Sequence, residues 1–339
     1  QPHNSGRRQR QMCIRDSKAI SAMEEIMKAV SYADGKVKTA DIPLPKGEGV
    51  LIDIASAGIC GSDLHLLNSG AHSPHVAGHE ISGITPNGKH VAIEPIIPCR
   101  DCENCNSQNY HLCKNDSMNM GMNINGGMSE KIIVPENCLI ELDPKVPIED
   151  ACLVEPLAVA LHGLIKTKTT EKHRVAVIGG GTIGLCSIVA AKYLGCKVDL
   201  YGKYDHQIEA GQKLGGGTLS GQYDRVIDCV GNNDTLNLSA KSAKPGSWII
   251  LLGIPLDGIN LPGMRIIMNE IKLFPSIMYS SNDGVKDFTV AAKVISLYPS
   301  IGKTIITHRF NLEDAEEAFR IAGDKLSKSI KVVFDPLNK

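Results

Sequence analysis

This 339-residue chain has almost no net charge: 36 Lys and Arg stand against 37 Asp and Glu, leaving −1 at pH 7 and a pI near 6.9. Without a basic field to neutralise a phosphate backbone, a nucleic-acid partner is not expected. No run of eighteen apolar residues occurs, so neither a membrane-spanning helix nor a membrane partner is expected. No internal repeat is visible. No secretory signal stands ahead of the eleven cysteines, which are therefore expected to be reduced thiolates, several of them holding metal, in a cytoplasmic setting rather than a disulfide framework. The chain is 42% hydrophobic and 22% charged, a globular composition with length for two ordinary domains.

The first residues stand apart. QPHNSGRRQRQMCIRDS (1–17) has neither hydrophobic periodicity nor turn logic, and QMCIRDS back-translates to a transposon-end adapter. Residues 1–26 are expected to be a non-native or disordered tail, with the native start at Met23 or Met27. Residues 1–17 hold four Arg against one Asp, so the remainder is three charges more negative.

From residue 27 to about 150, short β-rich runs such as VLIDIASAG (50–58), HVAIEPI (90–96) and EKIIVP (130–135) are separated by Gly, Pro and Asn turns. After Glu155 strands and helices alternate: RVAVIGG, a helix to Ala191, KVDLY, a helix to Leu214, DRVIDCVG and SWIILLGIP. That alternation predicts an α/β unit, a doubly wound parallel sheet with crossover helices. A strand over 272–279 extends it, a helix over 285–297 follows, and the β-like ending SIKVVFD is expected to rejoin the first unit.

Three constellations carry chemistry. In CRDCENCNSQNYHLC, Cys99, Cys102, Cys105 and Cys113 follow C-x2-C-x2-C-x7-C on a loop too polar for a core. Four thiolates on one loop can close a tetrahedral shell around zinc with no open position, which is a structural role.

In VIGGGTIGL, Gly179, Gly181 and Gly184 fit G-x-G-x-x-G between a strand and an apolar-periodic helix. With Thr182 and Ile183 they form a turn suited to a dinucleotide pyrophosphate at a helix N-terminus. An acid at the end of the next strand would select a free ribose 2′-hydroxyl. That position holds Gly202, Lys203 and Tyr204 instead, with Asp205 read as the following helix N-cap. A cation beside a small residue suits a 2′-phosphate, so NADP is favoured and NAD is the alternative. The counter-reading, in which Asp199 serves the ribose, places the acid too early, inside the strand.

The third is GICGSDLHLLNSGAHSPHVAGHE (58–80), which gathers zinc-ligand types: Cys60, Asp63, His65, His79 and Glu80. GICGSDLH, GHE, the four-cysteine loop, EPLAVALHG, VIGGGTIGL and ITHRFNLEDAEEAF stand in the order seen in zinc-containing alcohol dehydrogenases, and over residues 27–339 the chain resembles that branch of the medium-chain dehydrogenase/reductase family.

The resemblance implies a GroES-like β-rich catalytic domain (27–158 and 282–339) interrupted by a Rossmann domain (159–281), with the active site in the cleft between them. It implies Cys60 and His79 as catalytic-zinc ligands, Glu155 at the position of a third, and Glu80 as a ligand or exchanging neighbour. Glu155 stands where liver-type enzymes have a cysteine, so the chain is more similar to the polyol, sugar and threonine dehydrogenases. Asp63 matches the acid that orients the histidine ligand. Ser62 and His65 match the proton relay, whereas His72 and His75 read as loop surface.

Together these features imply two zinc ions per chain, one catalytic and one structural. The activity implied is a zinc-dependent alcohol or polyol dehydrogenase using NAD(P) on a secondary alcohol, sugar polyol or amino alcohol. Family members are commonly dimers or tetramers, so a homodimer or homotetramer is implied. A zinc-ribbon interaction protein would leave Cys60, His79 and the glycine turn without work, and a non-catalytic NADP-binding redox sensor would need no Ser62–His65 relay. Five Phe, eight Tyr and one Trp leave the substrate wall unassigned.

Overall fold

The computed structural model describes residues 25–337 apart from residues 34, 71, 72, 116 and 257. The chain opens with an antiparallel hairpin, Ile26–Ala33 paired with Lys36–Pro43. Of the expected tail, residues 1–24 lie outside the described residues. Glu25 and Ile26 do not belong to a tail: Ile26 opposes Pro43, and the Glu25 carbonyl accepts the Leu44 N–H at 2.9 Å.

The first sheet has seven strands built on the run VLIDIASAG, which forms Val50–Gly58 as its alternating aliphatics require. Glu80–Ile84 and Lys131–Val134 both pair with it antiparallel, and His90–Ile93 and Leu139–Glu141 extend the sheet. The C-terminal strand Lys331–Phe334 returns to this sheet, setting Val333 opposite Gly58 and Phe334 opposite Ala57. The ending SIKVVFD thus closes the sheet beside the turn that carries Cys60.

The second sheet is six-stranded and wholly parallel, in the order Gly217–Thr218, Lys197–Tyr201, Arg174–Ile178, Tyr223–Asp228, Ala243–Leu251, Lys272–Pro275. Its first strand in chain order, Arg174–Ile178, lies in the interior of the sheet, and the winding reverses there, the place where a doubly wound sheet opens a ligand crevice. In the central RVAVI strand every residue after Arg174 is buried, as expected with helices on both faces.

Between the sheets runs the helix Val154–Lys166, whose Val154, Leu157, Ala158, Leu161 and Leu164 are fully buried. It packs on the helices Thr182–Tyr193 and Asp287–Leu297. One apolar cluster joins Ala92 and Ile96 of the first half to Val175, Ile188 and Phe288. Each buried Leu or Val contributes roughly 1.5–3 kcal/mol.

Two sequence expectations shift. Asp205 is the first helical residue of Asp205–Lys213, not its cap; extended Tyr204 (φ −121°, ψ 145°) is the N-cap, and Asp205 places its charge in the first turn. The strand expected over 272–279 stops at Pro275, because proline has no N–H for the ladder and Met278 turns left-handed (φ 55°).

Candidate metal and cofactor site

The four-cysteine loop folds its thiols into one cluster. Cys99 and Cys105 Sγ are 3.8 Å apart, Cys102 and Cys105 3.5 Å, and Cys102 and Cys113 3.9 Å. A tetrahedron with Zn–S bonds of about 2.3 Å has edges of about 3.8 Å, so the donor set fits zinc without rearrangement. The short helix Glu103–Asn106 and the turn Tyr110–Leu112 bend the loop back on itself. Backbone N–H groups around Cys102 lower its thiol to about 6, whereas burial raises Cys105 to about 12.

The second cluster forms where the strand Val50–Gly58 passes into the helix Gly61–Asn68. Cys60 is the helix N-cap, and its N–H is accepted by Asp63 Oδ2 at 2.8 Å. Ligand atoms of Cys60, His79 and Glu80 lie within 4.8 Å of one another. Gly58 gives Glu80 its room: a Cβ there would meet Glu80 Oε2 at 2.1 Å.

Asp63 is fully buried, accepts the Tyr32 hydroxyl at 2.9 Å and lies 3.9 Å from His79 Nδ1. Burial pushes His79 down, but Asp63, Cys60 and Glu155 outweigh it and hold the imidazole well above its ordinary value. His79 Nδ1 and Glu80 Oε2 are buried without a hydrogen-bond partner. Negative charge around an imidazole, with orphaned donor atoms, is the environment of a cation site.

Glu155, at the start of the Val154–Lys166 helix, is buried but is not drawn into the 4.8 Å cluster. Burial, opposed by His79 and reinforced by Glu80, pushes its carboxyl up to about 7. Ser62 Oγ is 3.5 Å from His79 Nε2, and His65 is exposed one turn further along the same helix. His75 is half-buried in its loop, and His72 lies outside the described residues.

A cavity of about 720 Å³ joins this centre to the glycine turn, lined by Cys60 and Glu80 on one side and by Gly179–Gly184, Lys203 and Tyr204 on the other. Gly181, Thr182 and Ile183 all reach it; Gly202 does not. Gly202 instead packs against Ile208, which a Cβ would meet at 2.9 Å. At Gly184 a Cβ would fall 1.8 Å from the Gly179 carbonyl oxygen, so no other residue lets the helix start this close to the strand. Gly184→Ala is expected to weaken dinucleotide binding at least about 10-fold in calorimetric titration, because a misplaced turn forfeits at least 1.4 kcal/mol of backbone contact.

Asp199 is committed elsewhere: its Oδ2 accepts Arg174 at 2.6 Å and the Tyr223 hydroxyl at 2.9 Å. Asp199 does not line the cavity.

Sequence reasoning missed Lys331, which is buried and donates to Glu80 Oε1 at 2.7 Å and to the Ile59 carbonyl at 2.8 Å. A lone lysine inside the apolar run SIKVVFD was the available signal. Tyr32 was also missed, and a single tyrosine in a strand carries no such mark.

The profile described as alcohol dehydrogenase GroES-like domain matches residues 46–144, and the zinc-binding dehydrogenase profile matches residues 182–295. D-xylulose reductase A of Aspergillus oryzae is 28% identical, covering 88% of this chain and 93% of its own. L-idonate 5-dehydrogenase of Vitis vinifera is 26% identical over 84% and 87%. Among solved structures, galactitol-1-phosphate dehydrogenase of Escherichia coli superposes with a TM-score of 0.83 at 27% identity, covering 91% of this chain and all of that one. A structure from Sinorhizobium meliloti with NADP bound gives 0.83 at 25%, covering 92% and 100%.

Proposed function

Because the chain belongs to the zinc-dependent alcohol dehydrogenases of the medium-chain dehydrogenase/reductase family, we propose that it moves a hydride between a secondary alcohol, above all a sugar polyol, and NAD(P), with NADP preferred. One observation carries the reading: Cys60, His79 and Glu80 converge beside a cavity that Cys60 and Glu80 line, and whose opposite wall is the Gly179–Gly184 turn.

Cys60 and His79 hold the catalytic metal, with Glu80 and Glu155 as its carboxylates, and the four-cysteine loop holds the structural one. When bound, zinc supplies Lewis acidity toward a substrate oxygen and NADP supplies the hydride-accepting ring. Asp63 fixes the orientation of His79. Ser62 Oγ accepts the proton of the alcohol as it releases its own toward His65, and His65, exposed on the same helix, hands a proton on to solvent. Gly179, Gly181, Thr182, Ile183 and Gly184 seat the pyrophosphate. Lys203 and Tyr204 receive the 2′-phosphate; the Lys203 ammonium lies 5.8 Å from the Tyr204 ring centroid. Lys203→Ala is expected to cut kcat/KM for NADP about 10-fold while leaving NAD nearly unchanged, as initial rates with each cofactor will report.

Residues 27–158 with 282–339 form the catalytic unit and 159–281 the cofactor unit, the boundary at 158 falling inside a helix. A homodimer is the assembly that suits the open edge of Lys272–Pro275 and the exposed Met264, Ile267 and Met268 beside it. No helix among the described residues is long and apolar enough to cross a membrane. The free thiols, with no disulfide among the described residues, support a cytoplasmic home.

The test is metal analysis combined with reduced-nicotinamide absorbance across a panel of polyols, alcohols and ketones with both cofactors. Two zinc ions per chain and NADP-favoured turnover are expected. Absence of nicotinamide turnover throughout the panel would defeat the reading.

A further inference from the structure

The glycine turn and the Cys60 cluster are both fastened to the entrance of one short strand. The helix Thr182–Tyr193 has Gly181 as its N-cap without a side-chain cap, and its first internal bond runs from the Leu185 N–H to the Gly181 carbonyl at 2.9 Å. The N–H groups of Thr182, Ile183 and Gly184 have no helical carbonyl to meet, as in the first turn of any helix. The half-buried Thr182 side chain points elsewhere: its hydroxyl donates to the Ile330 carbonyl at 2.8 Å, 148 positions away. Among the described residues no other hydrogen bond joins residues 174–275 to residues 300–337.

Ile330 is held from its other side as well. Its N–H donates to Thr307 Oγ1 at 3.0 Å, and that hydroxyl donates to the Lys331 carbonyl at 3.1 Å. Thr307 is free for this because the pairing of Ile306–Phe310 with Lys331–Phe334 shifts register between Ile306 and His308, leaving Thr307 opposite no residue. Just before Ile330, the Ser329 hydroxyl donates to the Ile321 carbonyl at 3.0 Å and ties the approach to the helix Ala315–Gly323. The carbonyl that Thr182 meets is thus a fixed point of the first sheet.

The next residue is Lys331, whose ammonium holds Glu80 Oε1 and the Ile59 carbonyl. The Ile59 N–H in turn donates to the Val332 carbonyl at 2.9 Å, which locks the residue before Cys60 to the same strand. Thr182, Ile330, Lys331 and Val332 all line the cavity. From the cofactor helix to the Cys60 turn the path is one side-chain hydrogen bond, one peptide unit and one buried lysine, each a direct contact.

We propose that Thr182 is a positioning residue whose hydroxyl, through Ile330, sets the register of the Gly179–Gly184 turn against the Cys60 centre. The proposal rests on the reading that this turn seats a dinucleotide and that Cys60 holds the catalytic metal. Hydride transfer tolerates little error in the separation of its two carbons, and a misplacement of about 1 Å set up away from the reacting atoms can cost about 100-fold in rate. A seat joined to the first sheet by apolar packing alone would be free to slide, whereas a hydroxyl bonded to a fixed carbonyl defines one position. The main-chain N–H groups of the turn stay available for phosphate, so Thr182 serves the seat with its backbone and the register with its side chain.

The test compares the parent with Thr182→Val, Thr182→Ser and Thr307→Val, each as the full metal-loaded chain. Thr182→Val keeps the branched shape and loses the donor. Its kcat is expected to fall about 10-fold, with a larger primary isotope effect on deuterated alcohol, while the NADP Kd from calorimetric titration stays within about 3-fold of the parent's. Thr182→Ser restores the hydroxyl and should return kcat to within about 2-fold. Thr307→Val releases Ile330 from the other side and should lower kcat in the same direction. With cobalt in place of zinc, saturating NADP is expected to shift the d–d absorption band of the parent and to shift that of Thr182→Val less. An NADP Kd raised about 10-fold at unchanged kcat would make the hydroxyl a phosphate ligand and overturn the proposal. Parental kcat and band shift in Thr182→Val would overturn it too. A parent that neither binds NADP nor turns over an alcohol would overturn the functional reading and this inference with it.

Discussion

Cys60→Ser is expected to lower turnover by about 10³-fold and to reduce the zinc content from two per chain to one, with little change in melting temperature. The size follows from losing a Lewis acid that supplies several kcal/mol at the substrate oxygen, about 4 kcal/mol being three decades of rate. A hydroxyl does not ionise at neutral pH as a metal-bound thiol does, so the remaining donors hold the ion weakly. The fold should be indifferent, since Cys60 is a helix N-cap and serine is a better capping residue. The bond from the Cys60 N–H to Asp63 Oδ2 uses main chain and survives the exchange. Metal analysis with steady-state rates checks both halves, and full turnover in the variant would sink the metal assignment.

Lys331→Met is expected to destabilise the chain by about 3–5 kcal/mol, the usual cost of stranding one member of a buried ion pair. Lys331 and Glu80 side chains are 3% and 1% exposed. Burial pushes the Lys331 ammonium down, but Glu80 and Cys60 outweigh it and hold the group charged. Without it, Glu80 keeps one oxygen that has no partner and gains a second. The Ile59 carbonyl, next to Cys60, loses its donor too. Adding Glu80→Gln to Lys331→Met removes the stranded charge and should recover more than half of the loss in urea unfolding of the metal-free chain. Equal midpoints for parent and Lys331→Met would refute the argument.

What the sequence could disclose was set by range. VLIDIASAG and KVDLY become the strands Val50–Gly58 and Lys197–Tyr201 to the residue, because burial pattern and β-branched content are local properties. The four cysteines were legible for the same reason: all their partners lie on one loop. Lys331 meets Glu80 across 251 positions and His162 meets Asp287 across 125, and nothing local marks such pairs. The resemblance implied Glu155 as the third ligand and Glu80 as a ligand or exchanging neighbour, whereas the structure gathers Glu80 with Cys60 and His79 and leaves Glu155, at the start of its helix, outside that tight cluster. Gly202 was assigned to the cofactor by its place at a strand end, but packing against Ile208 turns it from the cavity, leaving Lys203 and Tyr204 to line it. The misplaced tail limit has a similar origin, since only the pairing of Ile26 with Pro43 reveals that a strand has begun.

The helix Val154–Lys166 has one more implication, for anyone wishing to isolate half of this molecule. Its apolar residues belong to a cluster fed by both sheets, so a cut at residue 158 would leave Leu161 and Leu164 on one fragment and Leu153, Val154 and Leu157 on the other, each facing water. Neither piece inherits a finished interior. Exchange of the nucleotide-binding portion with a relative's should therefore succeed only when the seam is moved beyond Lys166 and the donor's side chains match the retained helix in volume.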